Sequence, residues 1–276
     1  MSLNVQDSAL ARCPAALSQG RPAEAEQIAR GVLSTNPQHP AALLFLGVAL
    51  LVQRRPREAV TPLEQAAGFG ASSTVETHLA VALRESGQSA AALTWFERAT
   101  SRQPPFPPAF KEFATTLRGL RRFAEAEVVL RRGQQAVPAM PELDLMLGAV
   151  CLDRGKPADA QAAFARMLSR LPGHPEGLFG LGCALLQQGK FDSAAEQFRL
   201  ILARDPRNVR ALLNLGHCLM ELGRWEEGVA SLRATLAIDP KNRGHVLRMM
   251  VSCAHGRFWL RRSAIVDMLD GRTPWA

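Results

Sequence analysis

The sequence predicts an all-α solenoid of antiparallel helix pairs, closed by a C-terminal capping helix. Three observations predict it. First, a 34-residue pattern runs twice, end to end, from Pro175 to Asn242. Leu178, Leu181, Gly182 and Leu185 lead to Gly189, then Ala194, Phe198 and Ile201, then Asp205-Pro206; the same places 34 residues on hold Leu212, Leu215, Gly216, Leu219, Gly223, Gly228, Leu232, Thr235 and Asp239-Pro240. Second, a period of this size marks units that cannot bury their apolar faces alone and must stack. Third, Ala, Leu and Arg dominate, aromatics are few and Tyr is absent, which suits closely stacked helices.

Each element of the pattern has a physical reason. Leu178, Leu181 and Leu185 trace one stripe of an amphipathic helix; Phe191, Ala194, Ala195, Phe198, Ile201 and Leu202 trace the stripe of a second. Gly189 lies between them and suits the left-handed conformation that ends a helix. Pro206 stops the second helix, because Asp205 before it is pushed out of the α region. Asn208 and Asn242 stand where N-caps would open the next helices. A glycine inside a helix costs about 1 kcal/mol relative to alanine. Gly182 and Gly216 therefore imply close approach of paired helices, Gly182 facing Ala194 and Gly216 facing Gly228.

These residues resemble the tetratricopeptide repeat (TPR) family, whose signature is Gly or Ala at repeat position 8, Ala at 20, an aromatic at 24 and Pro at 32. The resemblance implies a right-handed superhelix with the first helices lining a concave surface. It implies a binding scaffold and is nearly silent on the partner.

Counting from the clear pair gives seven repeats over 6–242, namely 6–39, 40–72, 73–106, 107–140, 141–174, 175–208 and 209–242, in one elongated array. The first carries Gly20, Ala25 and Pro37, and Pro14 predicts a short or kinked first helix. The second carries Gly47, Ala59 and Leu63 but is one residue short, with Ala71 in place of the stop proline, so an irregular joint is expected. The third carries Ala80, Gly87, Ala92, Phe96 and Pro104 and ends in a stiff proline run, Pro104 to Pro108. The fourth carries Ala114, Ala126 and Pro138; the fifth carries Gly148, Gly155, Ala160, Phe164 and Pro172. After Asn242 the pattern decays. Residues 243–255 read as a first helix and Arg257 to Asp270 as a further one, so 243–276 is the expected helical cap. Trp259 and Trp275 there leave self-association through the C-terminal helix open.

By the resemblance, repeat positions 2, 5, 6, 9, 12 and 13 point into the concave groove. The expected peptide-binding residues are Phe45, Val48, Val52, His78, Lys111, Met146, Phe179, Leu186, Arg210, Asn214, His217 and Met220. They describe a groove with apolar ends and a polar middle, suited to an extended or helical segment with spaced apolar anchors. The family's heat-shock-chaperone adaptors hold a C-terminal carboxylate with Lys and Asn; only Arg210 and Asn214 resemble part of that clamp, so no such clamp is expected.

Composition narrows the remaining classes. The net charge of +8 comes from 29 Arg against 4 Lys. The clusters Arg54-Arg55-Arg57, Arg121-Arg122, Arg131-Arg132 and Arg261-Arg262 lie in different turns without interleaved aromatics, so a nucleic-acid partner is not expected. The five cysteines show no CxxC pair and no His at metal spacing; they read as core packers in a reducing compartment. No metal, cofactor or catalytic residue is expected: the six His are scattered, Glu24, Glu26, Glu125 and Glu127 read as exposed helix formers, and no phosphate-binding loop occurs. The N-terminus lacks signal-peptide features, and the longest apolar run, Ala41 to Val52, is too short to span a bilayer, so a cytoplasmic chain is expected. The leading expectation is a protein-protein interaction scaffold. The alternative is a regulatory or targeting module for a separate enzyme, since arrays resembling this one precede sulfotransferase and glycosyltransferase domains.

Overall fold

The computed structural model describes residues 2–70, 72–253 and 262–271, and every element among them is helical, as the sequence predicts. The chain forms two compact units, Met1–Leu143 and Asp144–Ala276.

In the first unit the opening helix is broken. Helices α1 (Ser2–Leu10) and α2 (Cys13–Ser18) are parted by a turn just ahead of Pro14, where the ring removes a backbone donor. Three helix pairs follow α3 (Pro22–Thr35): α4 (Pro40–Val52) with α5 (Pro56–Gly68), α6 (Ser73–Glu85) with α7 (Ser89–Ser101), and α8 (Pro107–Gly119) with α9 (Phe123–Ala136). Between pairs, α3 also packs on α4, α5 on α6 and α7 on α8. Their starts are chemically marked. Pro40 opens α4 at a position where its missing N–H is no loss. His39 Nδ1 accepts from the Ala42 N–H at 3.4 Å, and Ser72 Oγ accepts from the Val75 N–H at 3.3 Å.

Small residues let the paired helices approach. Ala25, Ala59, Ala92 and Ala126 are fully buried, and beside them lie Leu63, Phe96 and Leu130, equally buried. Phe96 stacks on Phe113 with ring centroids 5.7 Å apart. Each large side chain of this kind stabilises by about 1.5–3 kcal/mol through burial. Glu76 on α6 is buried as well, and its carboxylate accepts from Arg102 Nε and Nη2 at 2.7 and 2.8 Å, with Arg98 at 3.1 Å. A buried charge needs such partners.

The turns within pairs need a left-handed residue. Gly20 (φ 70°) and Gly87 (φ 91°) supply it freely, whereas the second and fourth repeats place Arg54 (φ 61°) and Arg121 (φ 58°) there. A side chain in this conformation costs about 1 kcal/mol or more.

The second unit comprises the remainder of α10 (Pro141–Asp153), then α11 (Pro157–Arg170), α12 (Pro175–Gln187), α13 (Phe191–Leu202), α14 (Val209–Glu221) and α15 (Trp225–Ile238). Helical glycines here are shaped by the side chain at repeat position 24. A Cβ at Gly148 would lie 2.6 Å from the Phe164 ring, one at Gly182 2.7 Å from Phe198, and one at Gly216 2.7 Å from Leu232. Gly182 therefore accommodates the Phe198 ring, four residues beyond the Ala194 it was expected to face. Gly216 meets both Leu232 and the Gly228 carbonyl, the latter at 3.3 Å from an added Cβ. Asp144, nearly fully buried, is held by Arg166 at 3.0 Å and Arg170 at 3.4 Å, the same arrangement as Glu76 with its two arginines.

The array closes through a 3-10 turn (Pro240–Asn242), α16 (Arg243–Ser252) and α17 (Arg262–Leu269). Val246, Met249, Met250, Cys253, Ile265 and Leu269 bury against Met220, Val229 and Leu232. Arg243 and Asp270 pair at 3.0 Å across the two closing helices. Asn208 caps α14 as expected, accepting from the Ala211 N–H at 3.1 Å. Asn242 does not cap α16. Asp239 takes the turn instead, accepting from the Lys241 N–H at 3.1 Å, and draws the Asn242 amide to its own carboxylate at 2.9 Å. Ala71, Phe258, Trp259, Arg261 and Trp275 lie outside the described residues.

Candidate partner-binding surface

In the first unit, helices α4, α6 and α8 present a common face with an open cleft of about 500 Å³. One wall is apolar, made by Val48, Leu51, Val52 and Val81. The cleft also carries Arg84, one turn beyond Val81 on α6, whose guanidinium donates to Glu112 at 2.8 Å and to the Thr116 hydroxyl at 3.2 Å. His78 lines the same cleft, one turn before Val81. Its Nδ1 is 2.7 Å from the Thr74 carbonyl, and burial holds the imidazole below its ordinary pKa, so the ring is neutral at neutral pH with Nδ1–H donating. The cleft can therefore receive an apolar side chain and offer hydrogen bonds beside it.

Of the groove residues expected from sequence, Val48, Val52 and His78 meet in this cleft. Val52 is half exposed, while Phe45 turns partly into the core around Ala42 and Ala49. Lys111 is exposed on α8 and is not among the lining residues. Two lining residues fall off the groove positions counted from the repeats: Arg54 reaches the cleft from its left-handed turn and Phe106 from the proline run, while Pro108 stands at repeat position 2 of the fourth repeat. The unusual arginine at a turn position and an aromatic within stiff prolines were the available signals.

In the second unit, Phe179 is half-buried, edge-on to Phe198 at 5.7 Å, and the Arg210 guanidinium lies 3.8 Å over its ring. Arg210 also pairs with Glu176 at 3.2 Å, and Asn214 Nδ2 donates to the Arg210 carbonyl at 2.8 Å. Both clamp-like side chains are engaged within the chain. Met146, Leu186 and His217 are half-buried, with Leu186 against the core around Leu185 and Phe198. Met220 is a correction: it is fully buried. Helix α16 packs on α14 over this position, and the Met220 side chain lies where a Cβ at Gly228 would be.

The arginines are largely matched by acids. Arg55 pairs with Glu26 and Glu58, Arg122 with Glu125, Arg131 with Glu127 and Arg132 with Glu97. Glu125 is exposed as the sequence suggests, but two of the expected exposed acids are covered. Glu127 is buried, and Glu26 keeps only 13% side-chain exposure. Burial alone would raise the Glu26 pKa; hydrogen bonds from Gln53 and Arg30 and the charge of Arg55 overcome it and hold the carboxyl below its usual range. The four described buried cysteines pack in the core as expected, and Cys253 donates to Glu221, which lies 3.6 Å from His217.

Family models described as tetratricopeptide repeat match residues 111–175 and 179–243, 16–71 and 152–202, and 76–98. The chain belongs to the tetratricopeptide repeat family. No curated protein matches it. Among solved structures, it is similar to the C-terminal part of a TPR repeat-containing protein from Cytophaga hutchinsonii (TM-score 0.71, 14% identity, covering 87% of this chain and 98% of that one). It is also similar to YrrB, described as a TPR protein with an unusual peptide-binding site (TM-score 0.60, 20% identity, 67% and 96% covered), and to pilF of Pseudomonas aeruginosa (TM-score 0.59, 23% identity, 73% and 92% covered). These likenesses show the fold. Among the described residues, no helix is long and apolar enough to cross a membrane.

Proposed function

We propose that this protein is a non-catalytic interaction scaffold that docks a segment of a partner protein in the cleft between α4, α6 and α8. The observation that carries the proposal is that one cleft is lined both by the apolar Val48, Val52 and Val81 and by the Arg84–Glu112 ion pair. An extended or helical segment placing one apolar anchor between polar neighbours fits that chemistry. The similar YrrB, described as having a peptide-binding site, supports the class of ligand. Phe179 with Arg210 offers the second unit a ring and a cation for further contact.

Affinity capture with the intact chain, Val52→Asp and Leu200→Asp tests this. Both positions are about half exposed, at 50% and 52%, so neither charge disturbs the core. A partner retained by wild type and Leu200→Asp but lost with Val52→Asp supports docking in the cleft. Equal retention by all three rejects the cleft as the docking surface.

A further inference from the structure

His217 and Glu221 lie one turn apart on α14 and so share a face. Cys253 follows the last turn of α16, which packs on α14. The His217 Nε2 and Glu221 carboxylate are 3.6 Å apart, and the ligand atoms of all three residues lie within 4.8 Å of one another. Cys253 is 1% exposed and Glu221 9%, while His217 is half-buried. Three different ligating groups from two helices thus converge at the edge of the closing core.

We propose that His217, Glu221 and Cys253 form a binding site for a divalent transition metal of the zinc class, tying α16 to α14. A thiolate, an imidazole and a carboxylate are a borderline-soft donor set that suits zinc, with water completing a tetrahedron. Zinc bond lengths of roughly 2.0–2.3 Å put tetrahedral edges at about 3.3–3.6 Å. The His217–Glu221 separation is already near that, so modest side-chain rotation completes the set.

The local electrostatics agree with this geometry. Burial, with opposition from Glu221 and reinforcement from His245, lowers the His217 pKa and leaves the ligating neutral imidazole. Burial and the neighbouring Glu221 push the Cys253 thiol up to about 12. Without a cation the thiol keeps its proton and donates it to Glu221. Metal binding exchanges that proton for the cation, releasing one proton to solvent and forming the sulfur–metal bond.

The test uses the full chain, stripped with chelator and titrated with Co²⁺, then Zn²⁺. A thiolate-to-cobalt charge-transfer band saturating at one equivalent, bleached by Zn²⁺, is expected. His217→Gln and Cys253→Ser should each weaken binding at least about tenfold, since even outer-shell changes cost that much. Cys183→Ala, which removes a half-buried thiol on α12, should leave the band unchanged. If Cys253→Ser loses helical circular dichroism, His217→Gln at its half-buried position carries the comparison. No thiolate band in wild type, or a band that survives His217→Gln at full affinity or depends on Cys183, overturns the proposal.

Discussion

The Phe164 ring occupies the space in which a side chain at Gly148 would begin: a Cβ there would sit 2.6 Å from two ring carbons. The same ring also fills the space at Gly180, on the first helix of the next pair. One aromatic thus fixes the approach of α11 to both α10 and α12. Gly148→Ala should lower stability by about 1–3 kcal/mol, the usual cost of overpacking, despite alanine's better helix propensity. Thermal denaturation checks it, and Phe164→Leu in the same chain should recover part of the loss.

Buried carboxylates set a second expectation. Glu76 is fully buried between Arg98 and Arg102, whose outer portions remain in solvent. Glu76→Gln should destabilise by about 1–3 kcal/mol, the scale of hydrogen bonds to charged groups. The loss stays below that of a wholly buried pair because water receives the freed arginines. Asp144→Asn, with Arg166 and Arg170, should behave alike in chemical denaturation.

The left-handed turn at Arg121 predicts a gain. Its φ of 58° is a conformation that glycine adopts without penalty, as at Gly155 and Gly223. Arg121→Gly should stabilise by roughly 0.5–1 kcal/mol, after losing the 5.3 Å contact of its guanidinium with Phe123. A higher melting temperature is the expected reading.

Acidification should weaken the first unit through His78. Its folded pKa lies below the ordinary 6.5, so the unfolded chain binds its proton first as pH falls. The stabilising difference is fully present above about 6.5 and is lost as pH drops from there towards the folded value, by at most about 1.4 kcal/mol per pH unit. Melting temperatures from pH 8 to 5 should fall less steeply for His78→Gln than for wild type.

Much of this organisation was legible because local chemistry repeats. Turn glycines such as Gly189 and Gly223 are left-handed, and Asn208 caps the helix it precedes. Pro14 marks the place where the opening helix breaks. What sequence could not show depended on what covers a residue. Met220 holds a groove position by count, yet α16 lies over it. Asn242 holds a cap position, yet its amide is drawn to the Asp239 carboxylate instead. Gly182 was read from its pairing with Ala194, and the part of the Phe198 ring in filling its space was not foreseen. Val48, Val52 and His78 could be assigned to a face from the repeat positions that the family resemblance implies. Arg54 and Phe106 join them only because a turn and a proline segment fold to the cleft's edge.

Arg54 separates two kinds of improvement that would otherwise look alike. It sits in the same costly turn conformation as Arg121, but its side chain borders the cleft. Replacing both with glycine would toughen the protein twice, yet only the change at Arg121 leaves the proposed docking surface intact. A search for heat-tolerant variants would accept both; a search for retained partner binding would discard the one at Arg54. If the proposed docking holds, the backbone tension there accompanies a cation lining the cleft, and selection for durability alone would erase it.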